Sequence, residues 1–254
     1  MIFILSPSKT QDFDTPAPVS DVSQPRFLKQ SEVLVKELKK LSEVEIGKLM
    51  SISDKLAALN YGRYHRFTAP FKPSNSKSCL WAFRGDVYDG MNVDHYSRTE
   101  VDYAQTHLRI FSGLYGLMRP LDLMQPYRLE MKTKLKNPKG KDLYDFWGHQ
   151  LTDQLQADLK ANGDDVLINL ASQEYWKVIQ PASLNARIIT PKFMENKNGD
   201  LKMIALFAKK ARGLMADYSI QNQLKDPEAL KSFSVNGYQL NSALSSADEW
   251  VFVR

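Results

Sequence analysis

Residues 108–131 read LRIFSGLYGLMRPLDLMQPYRLEM. This apolar run contains Gly113 and Gly116, which can approach another backbone closely or adopt a positive φ. It also contains two prolines, each of which interrupts a continuous helix and favours extended geometry just before it. Three arginines lie in the same run: Arg109, Arg119 and Arg128. Because a guanidinium suits phosphate and carboxylate, the stretch predicts a shaped turn region that presents positive charge.

Two secondary structures are compatible with the start of this stretch. A short, continuously apolar run that ends in Ser112 indicates a strand buried on both faces. Apolar residues also recur at three- and four-residue spacing over residues 101–118, which fits a helix that Gly116 would cap. A second short helix beginning at Pro120 would then give a helix–hairpin–helix element over residues 99–128, a device that offers backbone amides to a DNA phosphate. The residues leave both interpretations open.

Two other apolar runs share the design of a strand that ends in small hydroxyl residues. Residues 2–5 (IFIL) lead into Ser6-Pro7-Ser8-Lys9, and residues 165–170 (DVLINL) lead into Ala171-Ser172. In open α/β sheets, ligands bind beyond the carboxyl ends of such strands. We therefore predict that the three strand ends line one cleft. The residues expected to bind phosphate or another anion there are Ser6, Ser8, Ser112, Gly113, Gly116 and Ser172.

Helical patterns accompany these runs. Residues 26–41 place apolar side chains on one face at helical spacing, and Ser42 with Glu45 forms a capping-box pattern ahead of the next helix. The C-terminal residues 248–254 (DEWVFVR) are expected to form an edge strand of the same sheet. Since no repeat or linker divides the chain, we predict an α/β fold, a mixed sheet with flanking helices, in a single domain over residues 1–254.

Composition excludes several classes of protein. The chain has 254 residues, 43% of them hydrophobic and 25% charged, as is usual for soluble globular proteins. No apolar run approaches the roughly 20 residues that span a bilayer, and the N-terminus lacks the basic segment of a signal peptide. A single cysteine, Cys79, excludes an internal disulfide and fits a reducing compartment. We expect a cytoplasmic protein with no membrane partner, and we favour a monomer.

The residues for metal binding and nucleophilic catalysis lack the usual motifs. The four histidines are far apart in sequence, without the short paired spacings of a metal site, so we predict no metal and no cofactor. No G-x-S-x-G motif is present, and we predict no catalytic residue. The acid candidates are Glu130 and Glu174. Because Glu130 lies beside Arg128, we expect its pKa to be lowered, which suits orienting a cation better than general-acid work.

Positive charge is clustered along the chain. The net charge of +5 modestly favours a polyanionic partner. Residues 131–141 hold five lysines and no carboxylate, which a solvated surface loop explains equally well. Residues 202–212 hold further cations directly after a strand-like apolar run. We predict nucleic-acid binding, by shape and charge rather than by sequence, through Lys9, Arg84, Arg119, Arg128, Lys209, Lys210 and Arg212.

Several sequence blocks also carry a resemblance to a known family. They are SGLYGLMRPLD (112–122), QPYRLEM (125–131), IFILSPSK (2–9), AFRGDVYDGM (82–91), INLASQEYWK (168–177) and MIALFAKKARGLMADY (203–218). Together they span nearly the whole chain. In these blocks the chain resembles the YaaA family, bacterial peroxide stress-resistance proteins.

This resemblance implies a DNA-binding protein with an unusual α/β fold, a positive cleft and a helix–hairpin–helix element, which would fall on residues 108–128. It also implies a role in surviving hydrogen peroxide by lowering unincorporated iron and limiting oxidative damage; since the chain has no metal-ligand motif, we expect the effect on iron to be indirect. We favour binding without catalysis. The alternative is a nucleotide- or nucleobase-processing enzyme whose phosphate-binding cleft is formed by Ser6, Ser8, Lys9, Ser112 and Ser172.

Overall fold

The computed structural model describes residues 1–254, along which strands and helices alternate. The strands are β1 (Ile2–Leu5), β2 (Thr10–Gln11), β3 (Lys77–Ser78), β4 (Phe83–Arg84), β5 (Leu108–Ser112), β6 (Gly116–Met118), β7 (Leu123–Met124), β8 (Val166–Asn169), β9 (Arg187–Lys197), β10 (Asp200–Lys202), β11 (Gln239–Leu240) and β12 (Glu249–Val253). The helices are α1 (Leu28–Leu38), α2 (Glu43–Met50), α3 (Asp54–Arg66), α4 (Cys79–Ala82), α5 (Arg98–His107), α6 (Leu143–Trp147), α7 (Gln150–Asn162), α8 (Gln173–Trp176) and α9 (Ala205–Gln221).

Eight strands form the main sheet, in the order β11-β12-β9-β8-β1-β5-β6, with β10 paired to β9. The central strands β5, β1, β8, β9 and β12 run parallel, and antiparallel pairs extend the sheet at both ends. Every residue of β1 and β5 is buried, as expected of parallel strands covered on both faces. One cluster of 65 buried residues forms the core. The predicted α/β class, a mixed sheet with flanking helices in one body, is confirmed.

Residues 108–118 form a strand hairpin, and the helical interpretation of this segment is wrong. Helix α5 ends at His107, and β5 begins at the next residue. Gly116 has a φ of +74° and pairs with Ser112 across the hairpin. The residues from Pro120 to Pro126 contain β7 and no helix, so there is no helix–hairpin–helix element. The apolar run is a strand because its backbone groups pair with β1 on one side and β6 on the other.

Other elements match or correct the expectations from sequence. Helix α1 lies within residues 26–41, and both hydrogen bonds of the capping box between Ser42 and Glu45 are present. Strand β12 lies between β9 and β11, so it is an inner strand rather than the predicted edge strand. The run expected to be strand-like before Lys209 is the first turn of α9 instead. None of the helices combines the length and hydrophobicity that crossing a bilayer requires.

Helix α9 packs against the loop that follows β4 at direct backbone contact. A Cβ atom placed on Gly213 would lie 1.7 Å from the carbonyl oxygen of Val87. On the other side of the contact, a Cβ atom on Gly90 would lie 2.5 Å from the carbonyl oxygen of Lys210. Two glycines therefore set the distance between the helix and the loop.

Gly213→Ala should destabilise the protein by about 3 kcal/mol, because the new methyl group forces the α9 backbone away from Val87. The matched control is Gly47→Ala in α2, where a Cβ atom meets only ordinary contacts at 3.4 Å and beyond. That control should be neutral or stabilising by about 0.5–1 kcal/mol. Urea unfolding of both variants measures the difference, and equal stabilities would show that the α9 contact is not tight.

Candidate functional site

A cavity of about 610 Å³ opens at the carboxyl ends of β1 and β8. Ser6 follows β1 and Ser172 follows shortly after β8, and their Oγ atoms lie 3.2 Å apart. The backbone N–H of Ser172 donates to the Ser6 hydroxyl at 2.9 Å. Ser6 in turn donates to the Ser172 hydroxyl, whose own proton has no protein acceptor and can be donated to a ligand. Two of the three predicted strand ends therefore meet in one cleft.

The third strand end lies behind the cavity wall. Ser112 is fully buried, and its hydroxyl is 2.6 Å from the hydroxyl of Tyr127, which does line the cavity. A Cβ atom on Gly113 would lie 2.2 Å from the carbonyl oxygen of Leu129, and Gly116 provides the hairpin turn. These contacts hold β5 and β6 against their neighbours. Ser112, Gly113 and Gly116 therefore do not line the cavity, where the sequence analysis expected an anion to bind.

The cavity wall is rich in charged side chains. Its cations are Lys9, Arg128, Lys132, Lys209 and Arg212. Its carboxylates are Asp86, Glu130 and Glu174. Five cations facing three carboxylates leave an excess of two positive charges. The predicted residues Ser6, Ser8, Lys9, Arg128, Ser172, Lys209 and Arg212 are thus brought together in one place.

Glu130 is the centre of a network of cations at the cavity wall. Lys9 Nζ lies 3.0 Å from one carboxylate oxygen, and Arg128 and Lys132 each approach the carboxylate at 3.5 Å. Burial raises the pKa of Glu130, but these three cations outweigh it, so the pKa is lowered overall. The carboxylate is therefore ionised and orients the surrounding cations, as predicted from sequence.

Two arginines at the cavity have guanidinium N–H groups without a hydrogen-bond partner. Arg212 makes no hydrogen bond or ion pair with the protein, whereas Lys209 on the same helix pairs with Asp86 at 3.3 Å. Burial alone lowers the pKa of Arg212, and no carboxylate compensates for it. The Nε atom of Arg128 is also buried without a partner. An unpaired, partly desolvated guanidinium costs stability, so Arg212 fits a site for an anionic ligand.

Three of the predicted nucleic-acid-binding residues lie outside the cavity. Arg84 pairs with Asp94 at 3.3 Å and with Asp12 at 3.6 Å. Arg119 pairs at 2.8 Å with Asp122, which is fully buried. Both arginines are thus paired with carboxylates and lie away from the cavity, so they do not contribute to its charge. Lys210 is exposed on α9 but does not line the cavity.

Residues 126–138 form an irregular segment in which buried and exposed positions alternate, with a turn at Met131 and Lys132 where the Thr133 N–H donates to the Glu130 carbonyl oxygen at 3.0 Å. The odd-numbered residues, from Tyr127 to Asn137, are buried. The even-numbered residues reach the surface, and four of them are the cations that we call the basic strip: Arg128, Lys132, Lys134 and Lys136. A second groove of about 420 Å³ shares Arg128 and Lys132 with the cavity and also contains Lys134.

Three lysines of the basic strip were not predicted as binding residues from the sequence. Lys132, Lys134 and Lys136 were equally compatible with a solvated loop. The period-two alternation of apolar and charged residues from Tyr127 onward is the pattern that distinguishes the two cases, since a solvated loop has no buried face.

The histidines and the cysteine take structural positions. No three His, Cys, Asp or Glu side chains lie close enough together to hold a metal ion. His107 Nδ1 lies 2.9 Å from the carbonyl oxygen of Met1, and burial lowers its pKa. Cys79 is fully buried, and burial raises its pKa well above the ordinary value.

Replacing Arg212 should leave the free energy of unfolding unchanged or raise it by up to about 1 kcal/mol in Arg212→Met, because the substitution removes a charge that the protein does not neutralise. The comparison variant is Arg109→Met, whose guanidinium is buried 2.5 Å from Asp158. That variant should lose about 3 kcal/mol, since Asp158 keeps Arg26 as its only ion-pair partner, beside a hydrogen bond from Gln154. Chemical denaturation measures both, and similar losses would mean that Arg212 is a structural residue.

Comparison with known families agrees with this architecture. The sequence model of the family described as peroxide stress protein YaaA matches residues 1–244 of the 254-residue chain. The match includes the strands β1 and β8, the basic strip and helix α9, which together surround the cavity. The chain therefore belongs to the YaaA family of peroxide stress proteins.

Proposed function

We propose that the protein binds DNA through the phosphate backbone, without reading the base sequence, and that this binding serves its role in peroxide stress. The observation that carries the proposal is the basic strip, whose four cations run along an exposed face and continue into the cavity. A row of cations on an anchored segment suits a linear polyanion better than a compact one.

The balance of charge supports a small number of phosphate contacts. Beside the basic strip, the cavity contributes Lys9, Lys209 and Arg212, which brings the cations to seven against three carboxylates. The excess of four positive charges corresponds to about four phosphates and a slope of log K against log salt of about −3.6 on duplex DNA. Such binding is modest in strength and steeply dependent on salt.

The chemistry of the strip favours shape and charge over sequence. Lysine ammonium groups are point charges that contact phosphates without distinguishing bases. The strip is also an irregular segment, not a helix presented to the major groove. We therefore expect similar affinities for duplexes of different sequence.

The proposed link to peroxide resistance is physical coverage of DNA. Bound protein would shield the sugar–phosphate backbone from oxidation. The lowering of unincorporated iron that the family resemblance implies would then be an indirect consequence of binding.

Lys134→Ala/Lys136→Ala should weaken duplex binding and reduce the magnitude of the salt slope by about 1.8, or about 0.9 for each phosphate that loses its lysine. Neither lysine has an ion-pair partner, so the change does not release a carboxylate. Fluorescence anisotropy at several salt concentrations measures the slope.

The matched control is Lys160→Ala/Lys225→Ala, which removes the same charge from exposed positions near the amino ends of β1 and β5. There the Asn162 side chain donates to the carbonyl oxygen of Thr106, and the Tyr103 hydroxyl donates to that of Leu224. This control should keep the wild-type slope. If both pairs of substitutions change the slope equally, binding depends on net charge alone and the strip is not the DNA surface.

In a bacterial strain that lacks its own copy of the protein, the Lys134→Ala/Lys136→Ala variant should restore less survival in hydrogen peroxide than wild type at equal expression. Lys160→Ala/Lys225→Ala should restore survival fully. Colony counts after peroxide exposure provide the measurement. Full rescue by a variant that no longer binds DNA would separate peroxide resistance from DNA binding.

A further inference from the structure

The cavity contains carboxylates that backbone binding does not require. The lysines of its wall are exposed: the side chains of Lys9, Lys132 and Lys209 are 57%, 64% and 53% accessible. By contrast, Glu130 and Glu174 are only 15% and 24% accessible. The three lysines therefore reach furthest into solvent, and Glu130 and Glu174 lie further in, at a depth similar to that of Arg128, which is 20% accessible. Glu130 orients the cations around it, whereas a surface made only for phosphates has no comparable need for Glu174, since carboxylate and phosphate repel each other.

The inner wall also offers a free donor and an apolar surface. The Ser172 hydroxyl proton has no protein acceptor. Leu170, Tyr127 and Tyr175 line the same cavity and are nearly inaccessible. Donors, acceptors and apolar groups in one cavity suit a ligand that is partly polar and partly apolar.

The size of the cavity fits one nucleotide. Its volume of about 610 Å³ lies within the range of small-ligand pockets, about 300–1,000 Å³. It is continuous with the groove that holds Lys134, through the shared residues Arg128 and Lys132. A nucleotide in the cavity would therefore remain connected to a chain that lies along the basic strip.

We propose that the cavity receives one unstacked nucleotide of the bound DNA, with its phosphate beside Arg212 and its base against the inner wall, which includes Ser172 and Glu174. This proposal rests on the proposed function, because the DNA along the basic strip presents the nucleotide. Extruding a base costs a few kcal/mol of stacking and pairing, which contacts in the cavity offset.

The inner carboxylates predict which bases are preferred. A carboxylate accepts hydrogen bonds and donates none when ionised, so it selects bases with exocyclic amines. Cytosine, adenine and guanine carry such an amine, and thymine does not. Lys132 holds Glu174 in place, through its backbone N–H at 3.2 Å and its ammonium at 3.8 Å. Glu174 is therefore the residue to test.

The first experiment uses the full-length protein and free ligands in isothermal titration calorimetry. The ligands are dCMP, dGMP, dTMP, deoxyribose 5-phosphate and inorganic phosphate. We expect dCMP or dGMP to bind about tenfold more tightly than dTMP and deoxyribose 5-phosphate. In Glu174→Ala this preference should fall to within about twofold, while the affinity for deoxyribose 5-phosphate stays equal or rises, because a repelling carboxylate is gone.

Two further variants keep the result interpretable. Glu32→Ala removes an exposed, unpaired carboxylate from α1 and should preserve the base preference. Glu174→Gln retains an acceptor oxygen and should keep part of the base preference. A partial preference in Glu174→Gln beside a lost one in Glu174→Ala shows that recognition, and not folding, was lost. The base preference is overturned if Glu174→Ala and Glu32→Ala retain it equally.

The second experiment places 2-aminopurine in a duplex, where its fluorescence rises on unstacking. Wild-type protein should increase the fluorescence, and Glu174→Ala should increase it less at saturating protein. If duplex DNA binds with no fluorescence change and all five ligands bind alike, the inference fails and the proposed function stands. If nucleotides bind in the expected order and duplex DNA does not bind, the proposed function fails. The cavity is then a site for free nucleotides.

Discussion

The parallel pairing of β1 with β5 and β8 is the constraint on which the site depends. Strand β1 is buried on both faces and paired on both edges, with β5 and with β8. The residues that follow β1 therefore reach the surface only beyond its carboxyl end. The N-terminal amine pairs with Asp164 at the opposite end of the strand. Ser6 therefore emerges where β8 delivers Ser172, and the two hydroxyls meet. The inner wall of the cavity follows directly from this register.

The opposite wall depends on a close backbone contact. Gly213 and Gly90 allow α9 to rest on the loop after β4, which brings Lys209 and Arg212 to the cavity. The third wall is the basic strip, anchored by alternate buried residues from Tyr127 to Asn137. Since packing holds the backbone of each wall, only the exposed lysine side chains have to be ordered on binding. Such preorganisation reduces the entropic cost of gripping a flexible polyanion.

The sequence allowed the central strands to be predicted, because a continuously apolar run of four or five residues has few alternatives in a parallel sheet. It left residues 108–116 open, because strand and helix spacings coincide there and only the pairing partner of β5 decides. The sequence did not indicate which cations are paired with carboxylates in the folded protein. Arg84 and Arg119 are neutralised by carboxylates that the fold holds within reach, Asp94 and Asp122. Arg212 meets no carboxylate although Lys209, one turn earlier on α9, pairs with Asp86, and the sequence does not indicate this difference.

The most direct test of the account maps the lysines that DNA covers. Limited acetylation of the wild-type protein, with and without duplex DNA, followed by mass spectrometry gives the protection of each lysine. The account predicts that DNA protects Lys132, Lys134 and Lys136, together with Lys9 and Lys209 at the cavity rim, and leaves Lys160 and Lys225 reactive. Protection centred on Lys160 and Lys225, or spread evenly over all exposed lysines, would contradict it.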